Sequence, residues 1–336
     1  MRWQLAKEEE QYFEEAVLFA ALASAPPPCP RIRTRFNFNA LPDAIPDNIV
    51  TRERTKATGL EALCVLLYKL AVPVLWEDTE IFFGRSSCGL SIIFMHLLDL
   101  LDATFSSLIL FNRNIAAARL KEYSQAVFDA GSPYTNVWCF VDGTVRGVCR
   151  PVPRRVHHKK RKLLGQQSIY NGHKRKHALK FQTLVTPDGL ISHLFGPYAG
   201  RNHDIKMYRE SKIAGTIRLD SRFRGFRVFG DCAYGNDDVI VSPFEGAIGN
   251  LTAEQTHINA CMSRIRVSVE WSYAQIVSYW KALDVKSSQR IGTQPVGKMY
   301  RVGVLMTNCI TCIRGGNTAS DYFNCPPPDI SEYLES

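Results

Sequence analysis

The sequence predicts an α/β domain set behind a helical N-terminal segment, on three observations. Apolar residues keep a helical spacing from Leu60 to a stop at Gly131. The period then shortens to strand character in "NVWCFVD", Asn136 to Asp142. Two further strands, a helix, another strand and a long helical region follow in that order. The predicted divisions are an N-terminal helix and loop extension over 1–59, a helical domain over 60–131, the α/β domain over 132–316 and a loose tail over 317–336.

The N-terminal run "KEEEQYFEEAVLFAALASA" reads as an amphipathic helix, because acidic residues precede its apolar part where a signal peptide carries positive charge. "SAPPPCPR" ends it and "FNFNALPDAIPDN" continues as loop. "LEALCVLLYKLAVP" is a helix stopping at Pro73, "WEDTEIFFG" a short one ending at Gly84, and "RSSCGLSIIFMHLLDLLDATF" a longer one with Ser86 or Ser87 as N-cap. Helix, short helix, turn and longer helix is a helix-turn-helix-like layout, equally compatible with a plain three-helix unit because the last helix is so apolar. That helix carries His96, Asp99 and Asp102, so no segment reads as spanning a membrane. "IAAARLKEYSQAVFDAG" is a further helix.

In the α/β part, "HALKFQTLVTPDG" is strand and turn, "LISHLFGP" strand, "HDIKMYRESKIAG" helix and "FRVFGD" strand. The long helical region opens at Thr252, with Gln255 three residues on in capping-box form. A last apolar helix stops at Gly315-Gly316. It carries Cys309 and Cys312, which read as core because no second paired motif with zinc spacing accompanies them. Ten cysteines without a regular framework favour reduced thiols.

The formal charge of +9 favours a polyanionic partner. Against that background three carboxylates stand out. Asp142 ends "WCFV" and Asp231 ends "FRVFG", each where a buried strand meets a turn; such aspartates are either functional or turn caps. Glu270 shares a helical face with Val267, Ala274 and Val277, and either faces a cleft or pairs with Arg266 four residues back. Brought together, these oxygens suit two Mg²⁺ (or Mn²⁺) ions and an in-line phosphodiester displacement, a charge cluster no core would choose for stability.

"FVDGTVRGVCRP", "YNGHKRKHALKFQTLVTPDGLISHLFGPYAGRNHDIKMYRES", "FRVFGDCAYG" and "RIRVSVEWSYAQI" together resemble the ordered motifs of PIF/Harbinger-type DDE transposases and their domesticated relatives, over about Trp138 to Arg314. The helical segment before them also resembles the one preceding the catalytic domain in that family. The resemblance implies an RNase H-like catalytic domain with Asp142, Asp231 and Glu270 as catalytic metal ligands. It implies an enzyme that cleaves DNA at transposon ends and joins the 3′-hydroxyl ends to target DNA. The alternative is a domesticated nuclease, or a DNA-binding or partner-recruiting nuclear protein, without transposition. A separate Myb-like DNA-binding partner, a homo-oligomeric active state and a nuclear location, with the cytoplasm as a second one, are expected. Asp204 in "GRNHDIKMYRES" matches a motif position and is either a supporting metal ligand or a first-turn acid favoured by the helix dipole. His203 beside it either contacts phosphate or is exposed.

Positive charge concentrates in Arg150 to His177, directly after the first strand. Arg154, Arg155, Lys159, Lys160, Arg161, Lys174, Arg175 and Lys176 are the candidate phosphate contacts, expected close to any DNA held at the carboxylates. "KKRK" from Lys159 equally fits a nuclear localisation signal.

Overall fold

A computed structural model describes residues 45–151, 164–246 and 250–335. The first elements are a small antiparallel hairpin, β1 (Asn48–Val50) and β2 (Lys56–Thr58), turned through Arg54 at φ 63°. The sequence reading places this stretch in a loop extension. Each strand buries only its central residue, too short a pattern for alternation to reveal.

The expected helices follow. α1 (Gly59–Ala71) starts at Thr58, whose hydroxyl accepts the Glu61 amide, and ends before Pro73. α2 (Trp76–Phe83) stops at Gly84 in the left-handed conformation. α3 (Ser87–Ile109) is capped by Ser86. The next predicted helix is two, α4 (Arg113–Ala118) and α5 (Leu120–Asp129). The break falls at Arg119, whose guanidinium is drawn to Asp188 (3.0 Å) and to the Pro326 carbonyl (2.6 Å).

β3 (Val137–Gly147) is the central strand, and Val137 to Val141 are completely buried. It pairs antiparallel with β5 (Lys176–Val185), and β5 pairs antiparallel with β6 (Ile191–Ala199). On its other side β3 runs parallel to β7 (Arg227–Phe229), which pairs parallel with β8 (Ile240–Val241). The strand order is therefore β6, β5, β3, β7, β8, with β4 (Tyr170–Asn171), after the short α6 (Leu164–Ile169), against the start of β5. β4 and β8, two residues each, carry no periodicity to read.

Alternation along β5 sorts its neighbours. Phe181 and Thr183 meet Tyr300 of α10 (Val296–Arg314) and Tyr273 of α9 (Ala253–Tyr279), while Gln182 on the other face bonds Ser211 of α7 (Asp204–Ser211). α9 opens with the predicted Thr252–Gln255 capping box. The single helix expected after β6 is divided at Lys212, φ 55°, into α7 and α8 (Ile213–Leu219).

One hydrophobic core joins the helical segment to the sheet. By length and composition α3 alone among the described helices would cross a membrane. Here Leu90, Ile93, Leu97 and Leu101 lie in that core, and Asp99 and Asp102 pair with Lys298 and Arg301 of α10, both at 2.6 Å. The tail is not loose. α11 (Thr318–Phe323) and α12 (Ile330–Glu335) bury Phe323, Ile330 and Tyr333, and the Tyr333 hydroxyl accepts from Asn308 of α10 at 2.9 Å. Too few apolar residues punctuate this stretch to announce its docking.

Candidate active site

The parallel pairing of β3 with β7 sets Phe140 opposite Phe229. Two residues on along each chain stand Asp142, in β3, and Asp231, just after β7. Asp142 does not end its strand, as the sequence reading has it. β5 keeps pairing through Asp142–Thr183 as far as Gly147–Ala178, so β3 runs five residues further. Asp142 and Gly143 point to opposite faces of that strand. Gly143 turns nothing; it makes room. A Cβ there would lie 2.6 Å from the Asp204 Oδ1, which approaches from the α7 side.

Asp142 is mostly buried, with 17% of its side chain exposed. Burial pushes its carboxyl up to about 6, and Asp231 and Asp204 add to this, against a backbone bond from Gly143 and the charge of Arg266. Arg266 of α9 brings Nη1 to 3.7 Å from Asp142 Oδ1. Asp231 follows β7 and caps a tight turn: its Oδ1 accepts the Ala233 amide at 2.8 Å, and its carbonyl accepts from the Ser242 hydroxyl at 2.9 Å. Turn cap and half-exposed carboxylate are therefore one residue. Asp204 opens α7 after the exposed His203, as a first-turn acid, and its Oδ1 lies 2.5 Å from Nζ of the buried Lys180. Asp204 thus sits at the helix start, against Gly143 on the face of β3 opposite the Asp142 side chain, and its charge is felt at Asp142.

Glu270 lies on α9, one helical turn after Arg266. It is exposed, and so are Val267 and Ala274, so their stripe is the solvent-facing flank of α9, not a buried face. Nor does Arg266 pair with it, being turned toward Asp142 one helical turn earlier. Among the described residues no group of three or more His, Cys, Asp or Glu side chains stands close enough to hold a metal ion. Asp142 lies in the fields of Asp231 and Asp204, and Glu270 stands exposed one helical turn after Arg266.

Three neighbours were not singled out from sequence as site residues. The Tyr234 hydroxyl is buried with no hydrogen-bond partner, in the field of Asp204, Asp142 and Asp231. Tyr273 shares a 2.5 Å hydrogen bond with Thr183, the cross-strand partner of Asp142. Lys180 also donates to the Asn202 carbonyl at 3.1 Å. A lysine in the apolar run of β5 was the one visible signal.

Of the basic tract, Arg154, Arg155, Lys159, Lys160 and Arg161 lie outside the described residues. Lys174 and Arg175 are exposed on the β4–β5 turn, and Lys176 begins β5. Thr183, opposite Asp142, is seven residues further along β5, or roughly 23 Å. These three cations therefore flank the carboxylates from the far end of a strand and do not adjoin them. Cys309 and Cys312 are buried in α10, as core.

Residues 148–308 match the family model for the DDE superfamily endonuclease. The matched segment is just under half of the chain; it contains Asp204, Asp231 and Glu270 and begins shortly after Asp142. It supports a DDE-type transposase or nuclease function, a class that usually works on DNA with divalent metals. No curated protein and no solved structure matches the chain.

The donor set fits that chemistry. Asp142 in β3 and Asp231 just after the neighbouring β7 offer hard carboxylate oxygens, the buried Asp142 is repelled by Asp231 and Asp204, and a divalent cation relieves that repulsion. The buried Tyr234 hydroxyl offers an unused polar group beside them.

Proposed function

We propose that this chain is a PIF/Harbinger-type DDE transposase, or a nuclease derived from one, acting on DNA in the nucleus with Mg²⁺ or Mn²⁺. The observation that supports the reading is that Asp142 in β3 and Asp231, two residues past the end of its parallel neighbour β7, act on each other, with the charge of Asp204 adding to the field from the Gly143 face. The sheet supports an RNase H-like catalytic fold: three antiparallel strands in chain order, then two parallel strands on the other side of the first. The helices α1 to α3 are compatible with a helix-turn-helix role, and the net charge of +9 with a DNA substrate.

Asp142 and Asp231 would hold the cation, with Asp204 in support and Glu270 joining from the exposed flank of α9. The ion supplies Lewis-acid activation of the attacking oxygen and stabilises charge on the leaving oxygen. The chain's own residues do the rest. Arg266 balances Asp142 in the protein as it stands, and Lys180 fixes Asp204 against the bare Cα of Gly143. The Tyr234 hydroxyl can donate to a non-bridging phosphate oxygen or to a carboxylate. Lys174, Arg175 and Lys176 would grip phosphates about 23 Å from the cut, some seven base pairs along a duplex, with Arg154, Arg155, Lys159, Lys160 and Arg161 extending the grip. A Myb-like partner and a homo-oligomer complete this reading of an active transposase.

With Mg²⁺ and a terminal-repeat duplex, the purified protein should nick the ends and join them to a target, and Asp142→Ala should do neither. Unchanged cleavage by Asp142→Ala overturns the assignment. The exposed position of Glu270 favours a second reading, a domesticated DNA-binding protein that keeps its carboxylates unused. Supplying pre-cut ends separates the two, since only a transposase joins them.

A further inference from the structure

At the β8 edge of the sheet an open recess of about 450 Å³ lies between the start of β7 and the loop after β8. Its size falls within the ~300–1,000 Å³ of small-molecule sites. Two aromatic side chains line it, Tyr134 and Phe244, together with Asn136, Arg227 and Ser242.

Both aromatics stand on fixed mounts. The Phe244 amide donates to Asn259 Oδ1 of α9 at 2.9 Å, and Asn259 Nδ2 donates back to the Phe244 carbonyl at 3.0 Å. That clamp holds a phenylalanine with 38% of its surface exposed. The Tyr134 amide donates to Ser132 Oγ at 3.0 Å, and Ser132 donates to the Tyr134 carbonyl at the same distance. Arg227 is close enough for its charge to offset part of the upward push that burial gives the Tyr134 hydroxyl. The Arg227 side chain makes no hydrogen bond or ion pair within 4 Å among the described residues, and its charge is also felt by Asp238. Asn136, which also lines the recess, spends its Nδ2 on the Gly225 carbonyl at 2.8 Å and keeps its Oδ1 as an acceptor. Ser242, which also lines the recess, donates its hydroxyl to the backbone carbonyls of Gly235 at 2.7 Å and Asp231 at 2.9 Å, in the turn that carries Asp231.

Rigid aromatic faces, an uncommitted guanidinium and an amide acceptor are the recognition elements for one nucleotide: stacking for the base, a cation for its phosphate, an acceptor for its exocyclic amine. We propose that the recess takes a single unpaired nucleotide of the DNA strand held at Asp142 and Asp231. A base inside a duplex cannot offer both faces to side chains, so the site requires a nucleotide extruded from the stack or already single-stranded. The proposal rests on the DNA-cleaving reading and adds to it a preference for unpaired DNA next to the cut.

The test is fluorescence anisotropy of a labelled single-stranded 12-mer and of the matching duplex on the full-length protein, without divalent metal and at fixed salt. Phe244→Ala, Phe244→Leu and Arg227→Ala are each compared with wild type after their melting temperatures have been checked. Phe244→Leu keeps apolar bulk and removes only the aromatic face, so it remains informative if the alanine variant folds poorly. Single-strand affinity should fall about tenfold in each variant, the size of one base–aromatic contact, while duplex affinity changes by less than about twofold. Equal single-strand affinities in wild type and the folded variants overturn the recess and leave DNA cleavage standing. No binding to either DNA by wild type removes the underlying reading instead. Free dAMP competing as strongly as the oligonucleotide, nucleotide for nucleotide, makes the recess a mononucleotide site and also overturns the proposal.

Discussion

Arg266 Nη1 lies 3.7 Å from Asp142 Oδ1, one turn of α9 before Glu270. The most buried carboxylate of the site is thus balanced by a side chain where the proposed reaction needs a divalent cation. Arg266 and the ion would compete for the same oxygen. Arg266→Gln should tighten Mn²⁺ binding about fivefold by electron paramagnetic resonance, the equivalent of ~1 kcal/mol for a partly exposed ion pair. It should also lower the melting temperature of the metal-free protein at pH 8. Unchanged Mn²⁺ affinity would mean that the pair has no bearing on the ion.

Asp142 makes stability depend on pH in a defined direction. Its folded carboxyl titrates at about 6, above the ordinary aspartate value of 3.8, so the folded chain binds the proton more tightly than the unfolded one. The contribution of Asp142 is therefore fully present below pH 3.8 and is lost as pH rises through about 6. Asp142→Asn removes that loss. In EDTA the variant should be more stable than wild type at pH 7.5, by on the order of 3 kcal/mol at most, with the gap closing toward pH 4. Urea melts at the two pH values measure it, and a constant gap would contradict the placement of Asp142.

Gly143 is the position where an added methyl group should cost activity more than fold. Its Cβ would sit 2.6 Å from Asp204 Oδ1, and Asp204 is tied to Lys180 behind it. Gly143→Ala should displace Asp204 and reduce metal-dependent cleavage at least tenfold, with a loss of about 1 kcal/mol or less in stability. Wild-type cleavage rates in this variant would remove Asp204 from the site.

Asp188 tests the fold independently of the site. Fully buried in the β5–β6 turn, it accepts from Arg119 at 3.0 Å, Tyr123 at 2.6 Å and Thr186 at 2.6 Å. Asp188→Ala would leave the Arg119 charge without its buried partner and should cost about 3–5 kcal/mol in chemical denaturation. A loss below about 1 kcal/mol would show that the network carries little of the stability.

The sequence showed the strand "WCFV", the capped helices and the two aspartates beside β3 and β7 because each has a local signature: an apolar run, a cap, a carboxylate after a strand. It did not show where β3 ends, since that is decided by β5 pairing past Asp142. It did not show the break at Arg119, which answers to Asp188 across the fold. Lys180 and Tyr234 stayed hidden for the same reason, as each acts through a neighbour distant in the chain. Periodicity puts Glu270 on one face with Val267 and Ala274, but it does not tell which side of the helix meets solvent, and the structure exposes all three.

The central claim is that these carboxylates cut DNA, and Glu270 is the member that geometry leaves exposed. The decisive measurement is Mg²⁺-dependent cleavage of a terminal-repeat duplex by wild type, Asp231→Asn and Glu270→Gln at matched concentration, with melting temperatures recorded alongside. The account predicts cleavage by wild type and background levels from both variants, with Glu270→Gln as stable as wild type because its side chain is exposed. Cleavage by folded Asp231→Asn at the wild-type rate would contradict it.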